Sequence, residues 1–170
     1  MKMNLFLQSA VILSSLFSCV VSGADNVAVA DPAFFAQFLG PQNQARAQVG
    51  YPPLVWDDKV ASYAQAYANK RKGDCALIHW NGPYGENLFW GSSGTYWQPK
   101  DAVSAWIKES RFFNYATHNC DQFEKCGHYT QIVWKNSVRV GCARVICNNG
   151  RTFMTCGYDP PGNVIGQNPY

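Results

Sequence analysis

Apolar positions recur with a helical period through the first third of the chain. Phe34, Phe35, Phe38 and Leu39, then Gln42, Ala45 and Val49, fall on one stripe that stops at Gly50. Asp31-Pro32 supplies a cap and a first-turn proline, where a missing N–H costs nothing, and Tyr51-Pro52-Pro53 cannot continue the helix. A second helix starts at Asp57-Asp58, carries Val60, Tyr63, Ala64, Tyr67 and Ala68 on one side, and closes through Lys70, Arg71 and Lys72 at Gly73. Acid at its start and base at its end complement the helix dipole. A third helix is predicted near Pro99, with Val103, Trp106 and Ile107 turned inward and Glu109 just beyond. Cys75 to Gln98 shows no period, and Asn114 to Gly127 reads as a loop pinned by Cys120 and Cys126. Two strand-like runs, Arg139–Cys147 and Thr152–Tyr158, flank Asn148-Asn149-Gly150-Arg151, a strong hairpin signal. Helices early and strands late indicate an α+β fold.

The 170 residues suit one domain, at roughly 150 residues per domain. A hydrophobic share of 47% with 15% charged residues excludes a disordered chain. The net charge of +3 is too small to suggest nucleic-acid binding. Before Asp25 the one charge is Lys2. Leu5 to Val21 is almost unbroken apolar or small, and Ser22, Gly23 and Ala24 follow. This is the plan of a secretory signal peptide, residues 1–24, removed after Ala24 or one residue earlier. The remaining chain is expected to be exported and soluble.

Export decides how the cysteines are read. Cys19 leaves with the signal, and Cys75, Cys120, Cys126, Cys142, Cys147 and Cys156 remain, an even set in an oxidising compartment. Three disulfides are implied, with fifteen connectivities open. No paired CxxC occurs, so a zinc finger is disfavoured. A hydrolase would need a nucleophile with its base, yet there is no GxSxG, no HExxH and no spare thiol. His79, His118 and His128, with Glu86, Glu109 and Glu124, are the titratable groups suited to chemistry. Spacing alone cannot bring 79, 86, 109 and 128 together, and each also suits an ordinary structural role.

Cys126-Gly127-His128-Tyr129-Thr130-Gln131-Ile132-Val133-Trp134 resembles the signature of the CAP superfamily, which comprises cysteine-rich secretory proteins, antigen 5 and pathogenesis-related 1. Gly82-Pro83-Tyr84-Gly85-Glu86-Asn87-Leu88, Val138 to Arg144 and the ending Pro160 to Tyr170 resemble its plant branch, the pathogenesis-related 1 proteins. The likeness runs from Phe34 to Tyr170. It implies a CAP domain over residues 25–159, built as a three-layer α-β-α sandwich with a mainly antiparallel sheet. It further implies the bridges Cys75–Cys142, Cys120–Cys126 and Cys147–Cys156. The last pair sits awkwardly with the hairpin, because a two-residue turn at Asn149-Gly150 sets Cys147 opposite Thr152.

By the same resemblance, His79, Glu86, Glu109 and His128 gather in a central cleft. Two imidazoles suit a weakly held divalent ion such as zinc, with carboxylates orienting them, and the four equally suit a structural hydrogen-bond cluster. The family attaches no general enzymatic activity to this cleft, so no catalysis is expected. Superfamily members bind sterols, and plant relatives are antimicrobial. The matching candidate here is a loop from Phe89 to Trp97, where Phe89, Trp90, Tyr96 and Trp97 flank a Gly/Ser centre. The same aromatics also suit ordinary packing.

These features predict a secreted, apoplastic defence protein that captures sterol or related lipid from pathogen membranes. The alternative is a precursor cut at Asp159–Pro160 by a processing protease. That cut frees residues 160–170 as a signalling peptide for a receptor, unless the tail docks on the domain. A metal-dependent hydrolase ranks last. Three departures from the family pattern bear on these expectations. Trp80, where a small polar residue is usual, is expected to narrow the cleft mouth or alter its dryness; Gly157 replaces the Asn that precedes the tail in relatives; and Phe89-Trp90 is bulkier than the small residues common there, which implies a distinct lipid preference.

Overall fold

The computed structural model describes residues 31–170, so the expected signal peptide, residues 1–24, lies outside the described residues. Its elements run α1 (Pro32–Gln48), β1 (Val55–Trp56), α2 (Asp58–Arg71), β2 (Gly85–Gly91) and α3 (Pro99–Ile107). A 3₁₀ turn (Lys108–Phe112) leads to β3 (Phe113–Asn114) and β4 (Asn119–Cys120), and α4 (Gly127–Ile132), β5 (Arg139–Ile146) and β6 (Thr152–Asp159) complete the chain.

The caps behave as the sequence requires. Asp31 Oδ1 accepts the Ala33 N–H (2.9 Å), and Asp57 Oδ1 accepts those of Lys59 and Val60 (2.9 and 3.0 Å).

The main sheet has the order β1-β5-β6-β2, with β1 parallel to β5 and the remaining pairs antiparallel. One face of it carries Ala143, Val145, Phe153 and Leu88, packed with Ala64 and Ala68 of α2. The other carries Val140, Cys142, Met154, Cys156 and Tyr158, packed with Phe38, Val103, Trp106, Tyr129 and Ile132 from α1, α3 and α4. This is the expected α-β-α sandwich. Its second layer presses so closely that a Cβ on Gly141 would lie 2.1 Å from the Ala61 nitrogen of α2. Only a residue without a side chain lets that helix seat.

The hairpin forms one residue longer than a two-residue turn. Ile146 pairs with Thr152, the Cys147 N–H bonds the Arg151 carbonyl (2.8 Å), and Gly150 takes φ +75°. That register overturns two of the three expected bridges. Cys142 stands directly opposite Cys156 and is bonded to it, across a Cα separation of 4.0 Å. Cys147 lies beyond the end of β5, where the Asn148 N–H reaches the Lys72 carbonyl (2.9 Å) at the end of α2. There it bonds Cys75 instead. Cys120–Cys126 is as expected.

Candidate functional site

His79, Glu86 and His128 face one cavity of about 410 Å³, whose wall also includes Asn87, Lys125 and Asn163. Glu109, the fourth expected member, stands behind His128 rather than on that wall. The set is therefore two histidine–glutamate pairs, not a ring of four. His79 Nδ1 lies 2.8 Å from Glu86 Oε2, and His128 Nδ1 lies 2.6 Å from Glu109 Oε1.

Each glutamate is a local organiser. Glu86 leaves the edge strand β2 and is buried. Its Oε2 also accepts the Trp80 N–H (2.9 Å), and its Oε1 accepts the Thr155 hydroxyl (2.9 Å). Burial pushes its carboxyl above the ordinary carboxylate range, against the downward pull of those three donors. Glu109, from the turn after α3, receives the backbone N–H groups of His128 (2.9 Å) and Tyr129 (3.2 Å) at the start of α4. Beneath them runs a buried polar chain. Asn87 donates to the His128 carbonyl (2.9 Å) and to the Tyr158 hydroxyl (3.1 Å), which in turn donates to Gln42 Oε1 (2.7 Å). Asn87 and Gln42 thus tie the cleft to β6 and α1. The sequence offers no signal for that role beyond the polarity of two residues that prove fully buried.

With both Nδ1 atoms facing carboxylates, each imidazole keeps Nε2 for a ligand, the arrangement in which a carboxylate orients a metal-binding histidine. Two such atoms are what this cavity offers a divalent ion. Among the described residues, no group of three or more His, Cys, Asp or Glu side chains is placed to hold one.

The aromatic segment is not the single loop that the sequence suggests. Phe89 and Trp90 belong to β2, and their side chains alternate across the sheet. Trp90 shares a row with Phe153 and Val145 on the α2 face, under the Arg151 guanidinium (4.8 Å). Phe89 shares a row with Met154 on the opposite face and meets Trp97 edge-on at 5.5 Å. Trp97 folds back so far that a Cβ on Gly91 would sit 2.3 Å from its ring, and its Nε1 donates to the Ser92 carbonyl (3.0 Å). Phe89 and Trp97, with Ser104, Ala105 and Phe112 among others, line a groove of about 470 Å³ beside α3. Tyr96 is the most exposed of the four aromatics, at 73%, and Trp90 is exposed at 38%.

Trp80 does not narrow the cleft. Its indole is buried on the α2 side against Tyr63 and Tyr67 and donates to the Tyr84 carbonyl (3.0 Å). A Cβ on Gly157 would come within 3.2 Å of that ring and 2.8 Å of Val60. The departures at 80 and 157 are one packing solution, the missing side chain at 157 leaving room for the large one at 80.

The tail is docked. Pro160 accepts the Ser137 hydroxyl (2.7 Å), the Gly162 N–H meets Gln131 Oε1 (3.0 Å), and Asn163 joins Thr130 (2.7 Å) and the Gly127 carbonyl (2.8 Å). Pro169 accepts the Lys135 N–H (2.7 Å), and Tyr170 stacks on Tyr115 with His118 edge-on to it. Asp159, at the expected cut, ends β6 and is gripped by Arg139 (2.7 Å).

Residues 39–158 match the CAP, cysteine-rich secretory protein, family. The chain is 60% identical over 139 residues to the pathogenesis-related protein PR-1 of Medicago truncatula, covering 81% of this chain and 80% of that one. It is 55% identical over 133 residues to pathogenesis-related protein 1C of Nicotiana tabacum, covering 78% and 79%. Among solved structures, that of NaASP2 with Zn2+ superposes with a TM-score of 0.65 at 22% identity, over 82% of this chain and 86% of that one.

Proposed function

We propose that this chain, which belongs to the cysteine-rich secretory protein (CAP) family, is a secreted defence protein that acts by binding lipid rather than by catalysis. Its curated relatives carry the name pathogenesis-related protein. The observation that carries the lipid reading is the groove beside α3, where Phe89 and Trp97 offer aromatic area to an apolar guest. Capture of sterol from a pathogen membrane would then be the antimicrobial act. A nucleophile beside the cleft histidines would favour hydrolysis, but the nearest partners of both imidazoles are carboxylates already engaged with backbone and hydroxyl donors. The docked tail favours binding over peptide release, since freeing residues 160–170 must undo the Ser137, Gln131, Thr130 and Lys135 contacts.

Titration of the purified protein with a fluorescent sterol should give saturable binding. Phe89→Ala and Trp97→Ala should each weaken it by about tenfold, the effect of losing one well-packed aromatic contact. Trp90→Ala, on the other face, should leave it unchanged. Unaltered affinity in both groove variants would move the site elsewhere, and no saturable binding by the unmodified protein would end the sterol account.

The NaASP2 structure is one with Zn2+, and here the two free Nε2 positions share one cavity with His79 and His128 on its wall. Zinc is proposed to bind there through those two atoms, with water or a small anion completing its shell. Calorimetric titration should show weak binding that disappears in both His79→Ala and His128→Ala. Heat retained by either variant would place the ion at another site.

A further inference from the structure

The chain contains two Asn-Gly pairs, and the fold treats them differently. Asn81-Gly82 lies in the connection from α2 to β2, and Asn149-Gly150 in the turn from β5 to β6. Asn-Gly is the reactive dipeptide of asparagine chemistry, because glycine leaves its own nitrogen unshielded and able to meet the preceding side-chain amide. Each glycine has a structural reason. A Cβ on Gly82 would lie 2.1 Å from the Tyr63 hydroxyl, so any side chain there displaces that ring, and Gly150 holds φ +75°.

The hairpin pair is locked. The Gly150 N–H, whose nitrogen would be the nucleophile, donates to the Cys147 carbonyl (2.9 Å), and Asn149 Oδ1 accepts the Arg151 N–H (3.1 Å). The Cys147 N–H meets the Arg151 carbonyl across the same turn (2.8 Å), and Cys147 is itself bridged to Cys75. Turning the Asn149 amide onto the Gly150 nitrogen breaks the bonds of both groups.

The other pair is open. Asn81 is exposed, and among the described residues neither its amide nor the Gly82 N–H has a hydrogen-bond partner. The chain is gripped on either side of it. The Trp80 N–H donates to Glu86 (2.9 Å) and the Trp80 indole to the Tyr84 carbonyl (3.0 Å), while Tyr63 meets the Trp80 and Tyr84 rings edge-on, at 5.1 and 5.3 Å. A short bend held at its ends and unbonded at its tip keeps the amide beside the nitrogen and leaves both free to rotate.

We propose that Asn81 is a site of spontaneous deamidation, and that the fold directs the reaction there and away from Asn149. The Gly82 nitrogen gives up its proton and attacks Cγ of Asn81, the bond from Cγ to the amide nitrogen breaks, and ammonia leaves with that proton. Water then opens the cyclic imide at either carbonyl and leaves aspartate or isoaspartate. Overall NH is exchanged for O, and a neutral amide becomes a carboxylate, ionised at neutral pH. His79, on the cleft wall, is two residues away, and Trp80, whose N–H Glu86 holds, is the immediate neighbour. The modification therefore adds negative charge at the cleft rim as the protein ages, and the isoaspartate form also lengthens the main chain beside Trp80 by a methylene.

The full protein is incubated in warm, mildly alkaline buffer, and both pairs are followed by mass spectrometry after reduction and tryptic digestion, which separates residues 73–100 from 145–151. The NH-for-O exchange should accumulate at Asn81 about tenfold or more faster than at Asn149, the factor set by breaking the hairpin's bonds. Enzymatic methylation should detect isoaspartate in 73–100, and Asn81→Gln should remove it while leaving the melting temperature unchanged. In the reduced, urea-unfolded chain the two rates should converge, since glycine follows both asparagines and no fold protects either. Equal rates in the folded protein, or faster reaction at Asn149, would overturn the proposal. So would an Asn81 that stays unmodified in the folded protein while the unfolded chain reacts. A preference for Asn81 that persists undiminished after unfolding would overturn it as well, because local sequence would then account for it.

Discussion

Replacing Arg46 with methionine is expected to cost about 3–5 kcal/mol of folding stability, the net of several buried carbonyls losing their donor against the relief from burying a charge. The guanidinium is 1% exposed and has no acidic partner among its hydrogen bonds. Four backbone carbonyls share it instead: Nε donates to Pro52 (2.7 Å), Nη1 to Ile132 and Trp134 (both 2.9 Å), and Nη2 to Ser137 (3.0 Å). Burial pulls its pKa below the usual arginine value, yet so many oriented carbonyl dipoles still favour the cation. Methionine fills much of the volume and donates nothing, which leaves buried acceptors short of a donor at about 1–3 kcal/mol each. Relief from burying a charge offsets part of that total. Lysine keeps the charge but not the planar spread of donors and should fall between. Urea unfolding of the three proteins measures this, and a loss under about 1 kcal/mol would mean that the carbonyls find other donors readily.

The same residue shows why part of this molecule is hidden in its sequence. Asn43, Gln44 and Arg46 fall between the stripe positions Gln42, Ala45 and Val49 and read as the wet side of the helix, so the stripe assigns Arg46 to solvent. Chain segments 86 or more residues away decide otherwise, because they deliver carbonyls to it. Strand β2 is concealed for a related reason. Its Glu86 and Asn87 break the apolar alternation, and each is buried through partners that sequence separation hides, His79 and Thr155 for one, His128 and Tyr158 for the other. At six residues, α4 is too short to display a period. Helices α1, α2 and α3 are legible because caps and stripes are local. The members of both histidine–glutamate pairs follow from the family likeness. Their division into two pairs, with Glu109 behind the wall, needs the fold.

Loss of the Cys75–Cys147 bridge should be the most damaging of the three disulfide deletions. It closes a loop of 72 residues, against 14 for Cys142–Cys156 and 6 for Cys120–Cys126. Chain-entropy arithmetic gives about 4 kcal/mol for the first, about 3 for the second and about 2 for the third. Native contacts sharpen the ranking. Within β5 and β6 the ladder already holds Cys142 opposite Cys156, so cutting that bond leaves the register defended. At Cys147 the protein depends on a junction of two ends, the last turn of α2 and the hairpin turn. Beside the bridge, the Asn148 N–H to Lys72 bond (2.9 Å) holds them together. Paired Cys→Ser variants, unfolded in urea, should follow the order 75–147, then 142–156, then 120–126. Connectivity itself can be read first. Basic residues Lys72, Lys100, Arg111, Lys125, Lys135, Arg139, Arg144 and Arg151 place every cysteine of the described chain on a separate tryptic fragment. An unreduced digest should therefore yield residues 73–100 joined to 145–151. Recovery of 73–100 joined to 140–144 would restore the pairing that the family likeness implied, and would require the β5–β6 register to be different from the one described.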